Sequence, residues 1–175
     1  MFKNIICTIL VLVCFMDHPY CQKSSEFDLL LQQTRDLANI DPDSANQLSD
    51  KLLAFARSSK SNLQLAQAYN VTGLVLMINS QPEKSNKYLD STIQICQRIN
   101  ENKILSEAYS IMGSNYQNQA DYTNAVTYHT KAYAIAKSIF FKSQISSSLR
   151  SLAKINGLQG KFDKELEYLN KLKEE

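Results

Sequence analysis

The chain has 175 residues, of which 44% are hydrophobic, and this is enough for one domain with a sizeable core. Its 19 basic and 17 acidic residues leave a net charge of +2, which excludes the strongly basic field of a nucleic-acid-binding domain and an acidic field for cations. Four glycines and three prolines are few for a sheet protein with many turns. The composition therefore favours an all-helical domain.

The first residues differ in character from the rest. Lys3 precedes an apolar run of 12 residues, Ile5–Met16, which is shorter than the roughly 20 residues of a membrane-spanning helix and typical of a secretory signal peptide. We predict a signal peptide over residues 1–22 and export, with the periplasm of a bacterial cell as the destination. Tyr20 is not the small residue that a lipoprotein signal requires, so lipid anchoring at Cys21 is disfavoured.

The helical spacing of apolar residues begins after residue 24, and no later run of four to eight residues alternates as a half-buried strand would. A first helix carries the apolar face Phe27–Leu37. Asp41 is a candidate N-cap, and Pro42 fits the first position of a second helix, which stops in the polar run 58–62.

The remaining helices are predicted in pairs that are separated by short polar turns. They cover about residues 63–78, 82–99, 104–118, 122–140, 143–158 and 162–172. Pro82 again fits a first helical turn, and Gly160 fits a C-terminal cap. Glu165 falls where a small residue is expected, so we expect the last helix to pack loosely.

A 40-residue period relates the pairs to one another. Gly73, Gly113 and Ala153 fall in one register, and Ala45, Ser85, Ala125 and Glu165 fall in another. Such a period predicts a stack of helical hairpins, with units at about 26–65, 66–105, 106–145 and 146–175 of a domain that covers 24–175. Small residues in register allow two helix backbones to approach closely, which is the structural role that we assign to Gly73, Gly113, Ala125 and Ala153.

The third unit reads Tyr109-x2-Met112-Gly113-x2-Tyr116, followed by Ala125-x3-His129. This pattern resembles the tetratricopeptide repeat, whose unit reads W-x2-L-G-x2-Y and then A-x3-F. The resemblance covers about residue 24 to the C-terminus and implies an all-α fold, a right-handed solenoid of about four antiparallel helix-turn-helix hairpins. The usual unit has about 34 residues, and the longer unit here is similar to those of extracytoplasmic sensor regions in bacterial regulators and of related scaffold proteins.

The sequence lacks the residue groups that catalysis or metal binding would need. His129 takes the aromatic position of its helix, so we assign it to packing, since no second His or Cys lies at ligand spacing. Cys96 is predicted to be a small buried apolar residue, and the tyrosines of the third unit are predicted to pack between hairpins. The sequence therefore predicts no enzyme activity, no cofactor and no metal.

The resemblance also implies a partner-binding groove along the first helix of each pair. When the groove positions of the family are transferred residue by residue to this sequence, they are Asn70, Met77, Ile78, Glu107, Ser110, Ser114, Gln117, Asn118, Arg150 and Lys154. Asn70, Ser110 and Arg150 follow the same period and should form a row across the groove. Arg150 and Lys154 share a helical face one turn apart and can hold a carboxylate. A solvated polar face explains the same residues equally well.

Two interpretations of function follow. The first is an exported, non-enzymatic scaffold that binds a protein or peptide, without nucleic acid and without membrane insertion after the signal is removed. The second is the sensor region of a bacterial transcriptional regulator or histidine kinase, separated from the rest by truncation or gene splitting. A neighbouring reading frame that encodes a membrane helix and a helix-turn-helix or kinase pattern would favour the second.

Overall fold

The computed structural model describes residues 19–174. They form eight helices, α1 (Pro19–Leu37), α2 (Pro42–Ser59), α3 (Asn62–Ile78), α4 (Pro82–Ile99), α5 (Asn102–Asn118), α6 (Tyr122–Ser138), α7 (Lys142–Leu158) and α8 (Phe162–Glu174). The all-helical prediction is confirmed for this part of the chain. Within it, no helix is long and apolar enough to cross a membrane.

The first helix begins earlier than the sequence predicted. Residues 19–22, which we assigned to the signal peptide, form the first turn of α1, while residues 1–18 of that segment lie outside the described residues. Pro19 is compatible with a first helical turn, and no glycine or second proline follows before the core residue Phe27. The helix therefore extends across the limit that we predicted between leader and domain.

The helices pack as four successive antiparallel hairpins, as the 40-residue period predicted. Each helix contacts the next along the chain, and the first helices of the pairs, α1, α3, α5 and α7, also contact one another in order. These four helices therefore form one wall of the stack, which we call the inner wall.

The limits of the units lie about four residues before the predicted ones. Helices α3, α5 and α7 begin at Asn62, Asn102 and Lys142, whereas the predicted units began at about 66, 106 and 146. A register of equivalent residues fixes the period but not the starting point, which is set by the caps. Ser61, for example, begins α3 because its hydroxyl accepts a hydrogen bond from the Gln64 backbone N–H at 3.3 Å.

The predicted caps and turns account for the sharp reversals between helices. The Asp41 carboxylate accepts a hydrogen bond from the Ser44 backbone N–H at 3.1 Å, and Pro42 follows at the first helical position. Every inter-helix turn from the end of α2 onwards contains one residue with positive φ, at a regular interval along the chain. These residues are Lys60, Ser80, Asn100, Ala120, Phe140 and Gly160. Only the last is the glycine that this conformation favours.

Phe140 is the least suitable of these residues, because it combines a φ of 55° with a side chain that is 87% exposed. We expect Phe140→Gly to raise the free energy of unfolding by about 1 kcal/mol, since the left-handed conformation costs a residue with a Cβ roughly 1–2 kcal/mol. The measurement is thermal unfolding, with an expected rise in Tm of about 2–4 °C. Phe140→Ala removes the same ring and keeps the strained backbone, so equal stabilisation by both variants would contradict the explanation.

Small residues lie where the two helices of a hairpin approach most closely. A Cβ on Gly73 would lie 2.8 Å from Leu89 Cδ2, and a Cβ on Gly113 would lie 2.8 Å from the His129 ring. Ala125 is fully buried, and Ala153 is nearly so. The glycines thus accommodate a large side chain of the second helix. Gly73 also meets Ser85 of the other register, whose hydroxyl donates to the Gly73 carbonyl at 2.7 Å.

The last hairpin departs from this arrangement, as Glu165 led us to expect. The Glu165 carboxylate would lie 2.7–2.8 Å from a Cβ on Gly157, so a glycine one turn after Ala153 accommodates it. Helix α8 contains no buried residue. Three large apolar side chains of this helix, Phe162, Leu166 and Leu169, are exposed to solvent.

Candidate functional site: two pockets on the inner wall

The inner wall carries two neighbouring pockets. The first, which we call the paired-charge pocket, is lined by Arg35, Asn70, Val71, Leu74, Glu107, Ser110, Ile111, Phe141, Ser143 and Gln144. The second, which we call the basic pocket, is lined by Met77, Ser114, Gln117, Asn118, Arg150, Ser151 and Lys154. Helices α3, α5 and α7 contribute to both, so the pockets follow one another along the same wall.

A charged network across three helices holds the paired-charge pocket together. The Glu107 carboxylate on α5 accepts a hydrogen bond from Arg35 Nη2 on α1, with Nη2 and Oε2 3.2 Å apart. The same Oε2 accepts a second hydrogen bond from Asn70 Nδ2 on α3, at 3.0 Å. A carboxylate can only accept hydrogen bonds, so Asn70 must direct its NH₂ group towards Glu107 and its oxygen away from it. The same carboxylate oxygen therefore ties the first three hairpins to one another.

Two polar atoms of this network have no hydrogen-bond partner among the residues that the structure describes. Asn70 is only 2% exposed, and its Oδ1 receives no hydrogen bond from the described residues. The Nε of Arg35 is also buried and donates to none of them. An unsatisfied buried polar group costs about 1–3 kcal/mol, so each such atom calls for an explanation, such as a bound group that the free protein lacks.

The basic pocket has a cavity of about 340 Å³ between α5 and α7. Arg150 and Lys154 lie one helical turn apart on α7, and both are exposed. The ion pairs among the described residues, Arg35–Glu107 and Lys171–Glu167, include neither of them. Opposite them, α5 contributes the side-chain amides of Gln117 and Asn118. The pocket thus presents two cations that form no ion pair among the described residues, beside neutral hydrogen-bonding groups.

The predicted groove residues, apart from Ile78, line the two pockets. Asn70 and Ser110 lie in the paired-charge pocket, whereas Arg150 lies in the basic pocket. Ile78 is a correction, because it packs against the core cluster that contains Phe27. The remaining groove candidates line one pocket or the other, and they are Met77, Glu107, Ser114, Gln117, Asn118 and Lys154.

Sequence reasoning missed Arg35 and Gln144, which both line the paired-charge pocket. Arg35 lies in the first hairpin, whose residues follow the repeat pattern least clearly. The repeat pattern therefore did not assign Arg35 to a groove position. Gln144 lies in the first turn of α7, before the part of that helix to which the groove positions were carried over. No motif marks either residue.

The residues that might have carried chemistry are engaged in packing. Burial raises the pKa of the Cys96 thiol to about 12, so it stays protonated and unreactive at neutral pH. His129 is fully buried, and the described residues contain no group of three potential metal ligands. Tyr116 and Tyr128 stack with their ring centroids 5.3 Å apart. The inner wall itself presents hydrogen-bonding side chains and charged groups.

A stack of helical hairpins with a polar inner wall defines a helical-repeat protein. The family model of the tetratricopeptide repeat matches residues 104–174, which include α6, α7, α8 and nearly all of α5. Over these residues the chain is similar to the tetratricopeptide repeat family. The fold of this family is a scaffold for interactions with other proteins.

A solved structure shows the same fold. The crystal structure of the tetratricopeptide repeat domain of FLU from Arabidopsis superposes on the chain with a TM-score of 0.60 and 21% sequence identity. The match covers 64% of this chain and 94% of the FLU domain. At this identity the likeness establishes the shared fold alone. No curated protein sequence matches the chain.

Proposed function

We propose that the chain is a non-enzymatic scaffold whose inner wall holds a segment of a partner protein, with an acidic residue of that segment in the basic pocket. The observation that carries the proposal is the pair Arg150 and Lys154, exposed on one face of α7 without an acidic partner among the described residues. Two such cations attract a carboxylate and select against basic partners.

The surroundings of this pair suit a peptide rather than a compact anion alone. Gln117 and Asn118 can each donate to and accept from a peptide backbone at the rim of the same pocket. Met77 supplies an apolar contact beside them. An extended acidic segment can therefore place a side-chain carboxylate on Arg150 and Lys154 while its backbone bonds to the amides of α5.

The test is the fluorescence anisotropy of two labelled ten-residue peptides, acetylated and amidated at their ends, that differ only in a central glutamate or glutamine. We expect the glutamate peptide to bind more tightly to the native chain. Replacing both Arg150 and Lys154 by glutamate should weaken its binding at least about tenfold, because a hydrogen bond to a charged group contributes about 1.5–3 kcal/mol and each 1.4 kcal/mol is a factor of ten.

A matched control separates this site from a general effect of charge. Lys161→Glu together with Lys164→Glu makes the same change in net charge with two exposed residues outside both pockets. The control should leave the preference for the glutamate peptide unchanged. Equal losses in the two double variants, or no preference for the glutamate peptide in the native chain, would contradict the proposal.

We also propose that the chain is exported by means of the apolar segment Ile5–Met16. Intact-mass measurement of the protein from cells tests this, and a mature form that begins near residue 22 is expected. A full-length protein recovered only from the cytosol would contradict export and would leave the proposal on peptide binding unaffected.

A further inference from the structure

We propose that Arg35 and Asn70 form a second carboxylate site on the inner wall, which Glu107 fills in the free protein and gives up to an acidic residue of the bound partner. The inference rests on the proposed function, because it concerns the same bound segment. It adds a recognition rule, namely a second acidic residue at a fixed spacing, and it makes Glu107 an internal competitor of the partner.

The geometry of the ion pair shows that Glu107 uses only part of the site. One oxygen, Oε2, accepts from both Arg35 Nη2 and Asn70 Nδ2, while Arg35 Nε has no acceptor among the described residues. Arginine binds a carboxylate most strongly when two N–H groups meet two oxygens. A partner carboxylate lying along the Nε–Nη2 edge would therefore make a hydrogen bond that Glu107 does not make.

The buried amide of Asn70 completes the case for a ligand. Its Oδ1 is an acceptor without a donor at the floor of the pocket, on a residue that is 2% exposed. Each residue of an extended peptide other than proline carries a backbone N–H that can donate there. A segment with an acidic side chain thus offers an acceptor for Arg35 Nε and a donor for Asn70 Oδ1, two atoms without a partner in the described part of the chain.

Glu107 is placed to leave the site. Its side chain retains 17% of its exposure and borders the pocket, so rotation towards solvent returns its carboxylate to water. The charged residues that line the two pockets are Arg35, Arg150, Lys154 and Glu107, three cations and one anion. When a partner carboxylate replaces that of Glu107, the acidic segment therefore lies against a wall with excess positive charge.

The spacing of the pockets gives the spacing of the acidic residues. Along α5, Glu107 is 7 residues from Ser114 and 11 from Asn118, which corresponds to about 10–16 Å at 1.5 Å per residue. An extended peptide covers this distance in about three to five residues, at roughly 3.3–3.6 Å each. The partner should accordingly carry two acidic residues about four positions apart.

The experiment extends the glutamate peptide described above with a second glutamate four positions before or after the first, so that either chain direction is sampled. In the native chain the second glutamate should improve binding less than about threefold, because Glu107 competes for Arg35. In the Glu107→Gln variant it should improve binding about tenfold or more. Glutamine keeps an oxygen that accepts from Arg35 and Asn70, so the variant retains the links between the helices.

Two further variants make the result specific. Asp50→Asn removes one negative charge from an exposed position on α2, outside both pockets, and should behave as the native chain does. Adding Arg35→Gln to Glu107→Gln should abolish the gain from the second glutamate. The inference is overturned by an absence of gain in Glu107→Gln, by an equal gain in Asp50→Asn, or by a gain that persists without Arg35. Each of these results is distinct from failure of the proposed function, which is decided by the single-glutamate peptide and the variant at Arg150 and Lys154.

Discussion

Replacement of Gly113 by leucine is expected to lower the free energy of unfolding by about 3 kcal/mol and the Tm by about 6–12 °C. The first added atom, the Cβ, would lie 2.8 Å from both Cδ2 and Nε2 of His129. The imidazole ring cannot give way cheaply, because His129 is fully buried in the closely packed interior. The leucine must therefore push α5 and α6 apart. Thermal and urea unfolding measure the loss.

Two comparisons test the cause of that loss. Gly157→Leu makes the same change in α7, where the nearest side chain is the flexible, half-buried Glu165, so a cost below about 1 kcal/mol is expected. In a His129→Ala background the space above Gly113 is empty, and the cost of Gly113→Leu should fall by more than half. A Tm within one degree of the native value, or the same cost in both backgrounds, would show that the glycine does not serve close approach.

The fold was largely predictable because local and periodic signals agree in this sequence. Asp41 and Pro42, and later Pro82, mark helix starts by their own chemistry, and the register through Gly73 and Gly113 repeats the hairpin. The beginning of α1 was not predictable in the same way. The boundary at residue 22 was drawn from the composition of a leader, while Pro19 can also begin a helix.

The paired-charge pocket could not be predicted from helix-start signals or from the repeat period. The repeat period relates equivalent positions, such as Asn70 and Ser110, but Arg35 and Glu107 occupy positions that are not equivalent in their units. Their contact depends on how α1 and α5 lie on either side of α3, which is a property of the superhelix. The basic pocket was easier to predict, since Arg150 and Lys154 are neighbours on one helix.

His129 was assigned correctly to packing, but its sequence position did not reveal the cost of burying it. Both ring nitrogens are buried without a hydrogen-bond partner among the described residues. Burial alone lowers the pKa of His129 from 6.5 to about 4, because the protonated ring would lose its hydration inside the protein. The folded protein therefore keeps this ring neutral at a pH where the unfolded chain protonates it.

We expect the folded state to lose stability through this residue as the pH falls from about 6.5 to about 4. Above pH 6.5 the His129 ring is neutral in both the folded and the unfolded state, so the free energy of unfolding is not reduced by its titration. Below that pH the unfolded chain binds a proton at His129 that the folded protein does not bind, so the free energy of unfolding decreases. Because each pKa unit corresponds to 1.36 kcal/mol, the loss at pH 4 is about 3 kcal/mol.

His129→Leu isolates this contribution, because Leu89 occupies the equivalent position of the preceding hairpin and packs over Gly73 as His129 packs over Gly113. At pH 7 the variant should already be more stable by about 1–3 kcal/mol, since no buried nitrogen is left unpaired. Urea unfolding at several pH values should show the difference between variant and native chain growing by about 3 kcal/mol between pH 7 and pH 4. His18 and the carboxylates are common to both proteins and largely cancel in that difference. A difference that stays constant over this range would mean that the folded protein protonates His129 as readily as the unfolded chain does, which requires an acceptor or a water molecule beside the ring.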